Sequence, residues 1–329
     1  MMRILGLALS IGLLILAMMS SVIFGVTRIP LSVIWQAVTE PNGSTEHLII
    51  QTARIPRVLI AAAVGGSLAV AGAVMQVLTR NPIASPSTLG VNAGAAFFVV
   101  VATGWLGVSG LQQTTWIALL GAAVSGGVVF FLGSMGRDGM TPVKITLAGA
   151  SMTAFFHSLT QGLMLSDGKM FDQVLIWLVG SVAGRELDQL TAVVPYMGIG
   201  LLIALLLSRH LNVLSMGDDI AAGLGQKTAM IKILSAASII LLAGASVAAA
   251  GPIAFIGIII PHIMKFFLPN DYRWILPYSF VWGAVLLVSA DVLSRYIAMP
   301  KEVPVGVMTA IIGVPFFVYI ARKGGRQGA

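Results

Sequence analysis

Charged residues are scarce in this chain: they make up 9% of its 329 residues, while hydrophobic residues make up 57%. A soluble domain carries about a quarter charged residues, which help to cover its surface with polar groups. This chain is too apolar to do so, and we expect the lipid bilayer to be its solvent. Cysteine is absent altogether, which excludes disulfides, zinc–thiolate sites and cysteine nucleophiles.

Motifs for several other chemistries are also missing. The sequence contains neither the phosphate-binding pattern G-x-x-x-x-G-K-[ST] nor H-E-x-x-H, so neither nucleotide hydrolysis nor a zinc protease site is indicated. Its histidines are His47, His157, His210 and His262, which lack the spacing of metal ligands. We expect His157 and His262 to be packed or loop-facing side chains. The sequence therefore predicts no metal site, no cofactor and no enzymatic activity of its own.

Carboxylates are missing from the middle of the apolar segments. Asp167 and Asp291 lie near the ends of such segments. A proton-coupled transporter usually needs a titrating group inside the membrane. An ion- or proton-driven secondary transporter is therefore the weaker alternative, and we expect a partner to supply the energy for any transport.

The sequence does contain long apolar runs. A helical span requires about 20 apolar residues, and about ten such runs with short loops use nearly the whole chain. Continuous hydrophobicity favours helices over a β-barrel, and abundant Gly, Ala and Ser favour close helix packing. The sequence predicts an all-α integral membrane protein with a single transmembrane domain over 1–329. The expected spans lie near 4–26, 58–79, 88–107, 115–135, 145–165, 190–208, 229–250, 253–268, 274–291 and 304–321.

Loop charges predict the orientation. If both termini are cytoplasmic, 12 of the 19 Lys and Arg residues lie on the inner side, as the positive-inside rule requires. This distribution explains the net charge of +7 without a nucleic-acid partner. The tripeptide Pro82-Ile83-Ala84 recurs as Pro252-Ile253-Ala254 after the seventh span. Its placement favours an inverted repeat of spans two to five and seven to ten, although a match this short also arises by chance.

Three arginines on the predicted outer side have two interpretations. Arg54 and Arg57 lie one helical turn apart before the second span, and Arg295 follows the ninth. A guanidinium can pair two-pronged with a carboxylate of a partner. Arginines at helix ends also reach lipid headgroups, and from the residues alone this is the simpler role.

The segment 210–226 is the longest polar break on the predicted inner side. Asp218 and Asp219 suit the first turn of a short helix, because carboxylates stabilise a helix N-terminus. Apolar side chains in a segment that faces water indicate a partner surface, although an ordinary linker is the plain alternative. These apolar residues are Leu211, Val213, Leu214, Met216, Ile220 and Leu224.

Taken together, four groups of residues resemble the permease family of ferric-siderophore, haem and cobalamin ABC importers (FecCD-type, type II). The resemblance covers nearly the whole chain, in the family's order and spacing. The first group is 54–57 with 72–76 and 81–86, the second is 89–95, the third is 214–219 with 222–225, and the last is 251–257 with 261–262, 290–291 and 304–307.

The resemblance implies a permease subunit that moves iron(III)–siderophore complexes across the bacterial cell (inner) membrane. Haem and cobalamin remain alternative cargoes. The implied partners are an ATP-binding cassette subunit, an extracytoplasmic substrate-binding protein or lipoprotein, and a second permease subunit that is identical or paralogous. The family resemblance thus assigns ATP hydrolysis to a separate subunit.

The resemblance also implies roles for particular residues. The docking points for the binding protein would be Arg54, Arg57 and Arg295. The ATPase-coupling residues would be Leu214, Met216, Gly217, Asp218, Asp219, Gly223, Leu224 and Gly225. The cytoplasmic gate would contain Asn81, Ile83, Thr141 and Val143, although Pro142 departs from the family's pattern. The path would be lined by the fifth and tenth spans, with Thr146, Ser151, Thr153, Ser158, Thr160 and Thr309, unless these residues bond between helices.

Overall fold

The computed structural model describes residues 2–25, 29–40, 42–136, 140–166, 175, 177–299 and 301–325. Within these ranges the chain forms thirteen α-helices and no strand. The helices are α1 Met2–Ile23, α2 Leu31–Thr39, α3 Thr45–Leu48, α4 Ile55–Leu78, α5 Val91–Trp105, α6 Leu111–Ser134, α7 Pro142–Ser166, α8 Leu187–Leu214, α9 Asp218–Gly223, α10 Thr228–Ala250, α11 Ile256–Phe267, α12 Tyr272–Ser294 and α13 Val305–Gly325. A π-helical turn, Ile49–Arg54, joins α3 to α4, and a 3-10 turn, Pro86–Leu89, precedes α5.

Each of the ten predicted apolar runs contains a helix, so the all-α prediction is confirmed. Six helical segments in the described chain are long and apolar enough to cross a membrane: Met2–Ile23, Thr45–Leu78, Leu111–Ser134, Leu187–Leu214, Thr228–Ala250 and Tyr272–Ser294. Helices α5 and α11 are shorter apolar helices, as is the part of α13 from Val305 to Ile320. Helix α7 has 25 residues but carries more polar side chains.

Helix α4 lies at the centre of the bundle. In the most apolar stretch of Thr45–Leu78, 83% of the residues are buried, against 11% for α1. Glycines make its crossings close, because a Cβ on Gly72 would overlap the backbone of Gly257 in α11. A Cβ on Gly65 would likewise overlap Gly283 in α12. Small residues thus let helices approach where lipid gives no hydrophobic drive for association.

The helix pairing has the pattern that an inverted repeat requires. Helix α4 packs against α11 and α12, while α10 packs against α5 and α6, and α4 and α10 contact each other. The two short helices also begin alike. Gly90 precedes α5 with φ 72°, and Phe255 precedes α11 with φ 70°. Positive φ is unusual for a phenylalanine, so the break before α11 is held in place by its surroundings.

We call the side that carries Arg54 outer and the side that carries α9 inner, following the orientation that the loop charges predict. Two short elements between α1 and α4, namely α2 and α3, were not expected from the sequence. They lie on the outer side, where Ile29, Ala37 and Ile50 form a small apolar cluster of their own.

Candidate functional site

The predicted docking arginines meet at one buried carboxylate on the outer side. Arg57 donates from Nε to Oδ1 and Oδ2 of Asp291 at 3.0 and 2.9 Å, and from Nη2 to Oδ1 at 2.8 Å. Arg295 Nη2 binds Asp291 Oδ2 from one turn further along α12. Arg57 Nη1 also donates to Glu302 Oε2 at 2.7 Å. We call these residues, with Arg54, the arginine cluster.

Two members of the arginine cluster hold the end of α1. Arg295 Nη1 donates to the carbonyl oxygens of Ser21 and Phe24, both at 2.7 Å. Arg54 Nη1 donates to the carbonyl oxygens of Val22 at 2.6 Å and Ile23 at 3.1 Å. The last carbonyls of a helix lack partners within the helix, and its C-terminus favours cations. Both arginines therefore fix α1 against the bundle.

These contacts leave little of the arginine cluster at the surface. Arg54 is 6% exposed and Arg295 is 2% exposed, and the Arg57 side chain is 13% exposed. Of the three, Arg57 keeps the most access to the outer face, beside the more exposed Glu302. The docking role stays a prediction, and the anchoring of α1 is a function that the sequence did not indicate.

The predicted coupling segment contains a short helix on the inner side. Gly217, with φ 126°, turns the chain into α9, and Gly225, with φ 77°, turns it towards α10. Asp218, in the first turn of α9, pairs with Arg80 Nη2 at 2.8 Å and with Lys232 Nζ at 2.9 Å. Because Arg80 follows α4 and Lys232 lies in α10, this carboxylate connects α9 to both central helices.

Apolar side chains on and beside α9 face outward. Met216 is 61% exposed, Ile220 48% and Leu224 66%. Asp219 and Gly223 are exposed as well. Leu214 is the exception among the predicted coupling residues, since it is only 2% exposed and belongs to the bundle core. The exposed apolar surface agrees with what a partner would need, and the coupling role itself stays a prediction.

A second inner connection was not predicted from the sequence. Asn212, in the last turn of α8, donates from Nδ2 to Asp271 Oδ1 at 2.8 Å and accepts from the Tyr272 backbone N–H at 2.7 Å. The side-chain hydrogen bonds from Arg273, together with the one from Asn212, lower the pKa of the Asp271 carboxyl from its usual value. This network ties the end of α8 to the start of α12.

The four predicted gate residues are divided between different places on the inner side. Asn81 and Ile83 line an inner cavity of about 400 Å³ with Phe255 and Phe317. Asn81 Oδ1 accepts the Ile83 backbone N–H at 3.0 Å, which fixes that turn.

The other two predicted gate residues lie elsewhere on the inner side. Thr141 lines a separate cavity of about 540 Å³ with Asp218 and Lys232. Val143 is 67% exposed. The gate assignment of these four residues stays a prediction.

Helix α7 exposes several hydroxyls among apolar side chains such as Leu147 and Phe155, and its role in lining a path stays a prediction. Thr146, Ser151 and Ser158 are exposed. Thr160, by contrast, is buried and donates to Phe156 O at 2.7 Å. Thr309 in α13 is also buried and donates to Gly306 O at 2.9 Å. These two hydroxyls therefore satisfy their own helices.

The sequence suggests a packed or loop-facing side chain for His157, but this residue lies within helix α7. Its side chain is exposed and lines a cavity of about 590 Å³ with Asn92 and Gln161. His262 is half-buried and stacks edge-on against Phe316, with 5.8 Å between the ring centroids. The expectation of packing thus fails for His157, because α7 turns this side chain towards the open cavity.

The largest of these cavities lies on the outer side. It has a volume of about 890 Å³, and its lining includes Thr103, Trp177, Ser181, Arg185 and Glu302. Arg185 comes from the segment before α8 and is 8% exposed. Burial lowers the pKa of its guanidinium from the usual value, although an arginine remains protonated in proteins. No pattern in the sequence singles out Arg185 or Trp177.

Comparisons with known proteins place the chain among transport permeases. A model of the FecCD transport family matches residues 13–323. The permease protein YfiZ of Bacillus subtilis (strain 168), named for a siderophore transport system, is 53% identical over 316 residues, covering 96% of this chain and 95% of YfiZ. The Fe(3+)-citrate import system permease protein YfmD of the same strain is 47% identical over 283 residues, covering 86% and 84%.

A solved structure has the same architecture. It represents a transporter assigned to the metal-chelate type of ABC transporter, in an inward-facing conformation. The two chains are 28% identical, and each is covered over 98% of its length with a TM-score of 0.83. The likeness therefore extends over the whole helical bundle.

Proposed function

This chain belongs to the FecCD transport family, and from that premise we propose that it imports iron(III)–siderophore complexes into a bacterial cell. It is a multi-pass membrane protein and the permease subunit of an ABC importer. In such an importer, a separate subunit hydrolyses ATP and a second permease subunit completes the transporter. The observation that carries the choice of cargo is the 53% identity, over 96% of the chain, to a permease named for siderophore transport.

The arginine cluster supports docking of an extracytoplasmic binding protein on the outer face. We assign the direct contact to Arg57, which pairs with Glu302 near the surface. Arg54 and Arg295 would hold the end of α1 and the buried Asp291 in place around it. A partly exposed ion pair steers and registers a partner more than it adds affinity. The cluster is therefore suited to orienting the binding protein over the entrance.

Helix α9 supports coupling to the ATPase on the inner face. Its exposed Ile220, together with Met216 and Leu224, offers apolar surface to a partner. Its Asp218 pairs with Arg80 and Lys232, so a displacement of α9 would act directly on α4 and α10. The Asn212–Asp271 hydrogen bond would pass the same motion from α8 to α12. This arrangement requires the ATPase, and hence both termini, to be on the cytoplasmic side.

The proposed path runs beside α7. Its exposed hydroxyls on Thr146, Ser151 and Ser158 face away from the bundle core, where a second permease subunit would complete the wall. Asn81 and Ile83 would narrow the inner end from one side, and Thr141 and Val143 from another. The separation of these two pairs within one chain favours a gate that closes only when two permease subunits come together.

The function is tested by deleting the gene in its own bacterium and measuring uptake of radioactive iron. Uptake of iron(III)–siderophore should fall to background and return when the gene is restored. Haem and labelled cobalamin serve as the other cargoes, and their uptake should stay unchanged. Unaltered iron uptake, or a loss restricted to haem or cobalamin, would contradict the proposed cargo.

A further inference from the structure

The outer cavity contains a buried cation with little to neutralise it. Arg185 donates from Nε to the carbonyl oxygen of Ser181 at 3.2 Å. Among the described residues, no carboxylate lies within ion-pair distance of its guanidinium, and no hydrogen-bond acceptor is found for its terminal nitrogens. An isolated buried charge is unfavourable unless it is paired. The cavity beside Arg185 is therefore a place where an anion would be stabilised.

A second unsatisfied donor lines the same cavity. Trp177 is 8% exposed, and its buried Nε1–H finds no acceptor among the described residues. Buried indole N–H groups are usually hydrogen-bonded. This indole nitrogen is covered by its surroundings, so Arg185 is the unpaired donor that a ligand in the cavity could reach.

Glu302 also lines the cavity but does not cancel the charge of Arg185. Its carboxylate pairs with Arg57 Nη1 at 2.7 Å, and Arg57 belongs to the arginine cluster. The charge of Glu302 is thus neutralised by Arg57 and not by Arg185. The described lining of the outer cavity keeps the positive charge of Arg185 in excess, with hydroxyls of Thr103 and Ser181 nearby.

We propose that the outer cavity receives the substrate, with Arg185 donating hydrogen bonds to anionic oxygen atoms on the surface of a ferric chelate. This inference rests on the proposed function and specifies the chemical class of the cargo: chelates that carry a surplus of carboxylate or similar oxygen charge. The guanidinium fork matches such groups two-pronged. A cavity of about 890 Å³ also lies within the usual size range of small-molecule pockets.

The position of the outer cavity suits transient binding of the substrate. The cavity shares Glu302 with the arginine cluster, so a chelate released by a docked binding protein would enter beside Arg185. A single cation binds an anion without enclosing it. Affinity at this site should therefore be modest, which lets the cargo move on when the path opens.

The site is tested by equilibrium binding of ferric citrate to the assembled transporter in nanodiscs, without binding protein. Arg185→Gln should weaken binding at least about tenfold, because a charge-assisted two-pronged contact is lost. The affinity of Arg185→Lys should lie between those of the unaltered transporter and Arg185→Gln, since lysine keeps the charge but lacks the two-pronged guanidinium. Trp177→Phe should change binding less than about twofold, because the indole nitrogen it removes is covered and cannot reach the ligand. Lys301→Gln is the matched control and should change binding less than about twofold, since it removes an exposed outer charge.

Three outcomes would overturn the inference: no binding of ferric citrate to the unaltered transporter, unchanged binding by Arg185→Gln, or an equal loss with Lys301→Gln. If Arg185→Gln fails to assemble, Arg185→Lys decides the matter, and unchanged binding in that variant would refute the site. Failure of the proposed function is distinguishable, because it would leave cellular iron uptake unaffected by gene deletion. Failure of this inference alone would leave uptake dependent on the gene and indifferent to Arg185→Gln.

Discussion

Replacing Asp291 by asparagine removes the negative charge that Arg57 and Arg295 share. Asp291 is 1% exposed, so after the change two mostly buried guanidiniums would lack their common counter-ion. Removing one partner of a buried ion pair costs about 3–5 kcal/mol, because the other charge stays buried without compensation. Because asparagine keeps one carbonyl acceptor, we expect Asp291→Asn to destabilise the protein by about 3 kcal/mol, near the lower end of that range.

Glu302→Gln provides a control on the same arginine. The Glu302 side chain is 31% exposed and pairs with Arg57 at 2.7 Å. Partly exposed pairs contribute about 0–1 kcal/mol, since water solvates the separated charges. The structure therefore predicts that Asp291→Asn lowers the free energy of unfolding several times more than Glu302→Gln, although the two ion-pair distances to Arg57 are nearly equal.

The measurement is unfolding of the purified protein in mixed detergent micelles with increasing SDS, followed by tryptophan fluorescence. Asp291→Asn should shift the unfolding midpoint strongly, and Glu302→Gln should scarcely move it. The reasoning is refuted if Glu302→Gln destabilises as much as Asp291→Asn, or if Asp291→Asn costs less than about 1 kcal/mol, the range of an exposed pair.

Two further outcomes test the two faces of the protein. Ile220→Ser combined with Leu224→Ser should reduce co-purification of the ATPase by at least about tenfold, because exposed apolar surface is lost from the contact. The control Trp35→Ser, which changes an exposed apolar residue on the outer side, should leave co-purification of the ATPase unchanged. If the double variant and the control retain the ATPase equally well, coupling through α9 is rejected. Arg57→Gln should slow association of the binding protein, most clearly at low salt, while leaving ATPase co-purification intact; an unchanged association rate would reject docking at Arg57.

The sequence was most informative where a local pattern decides the structure. Continuous apolar runs predicted the helices of the bundle, since a backbone in lipid must satisfy its hydrogen bonds internally. The recurrent tripeptide favoured an inverted repeat, and the helices α5 and α11 that follow its two copies both begin after a residue of positive φ. The acidic pair in 210–226 likewise predicted the short helix α9, with Asp218 in its first turn.

Long-range pairings were not accessible in the same way. The sequence places Asp291 near the end of an apolar segment and indicates no partner for it, yet Arg57 reaches it across 234 positions of sequence. Arg54 and Arg295 were assigned to the surface, whereas they are buried against the end of α1. A carboxylate one turn before an arginine in an apolar helix was a usable signal, because intramembrane charges are rarely unpaired.

Helix α4 connects the arginine cluster on the outer side to helix α9 on the inner side. Its outer end carries Arg57, paired with Asp291 and Glu302, and Arg80 just beyond its inner end pairs with Asp218 of α9. At 24 residues, it is about 36 Å long, long enough to cross the hydrocarbon core. Because its glycines seat it directly on α11 and α12, it cannot bend independently of them. If the ATPase displaces α9, as we propose, the displacement would reach the outer cavity as a rigid movement of α4, and this movement would couple ATP hydrolysis to the entrance.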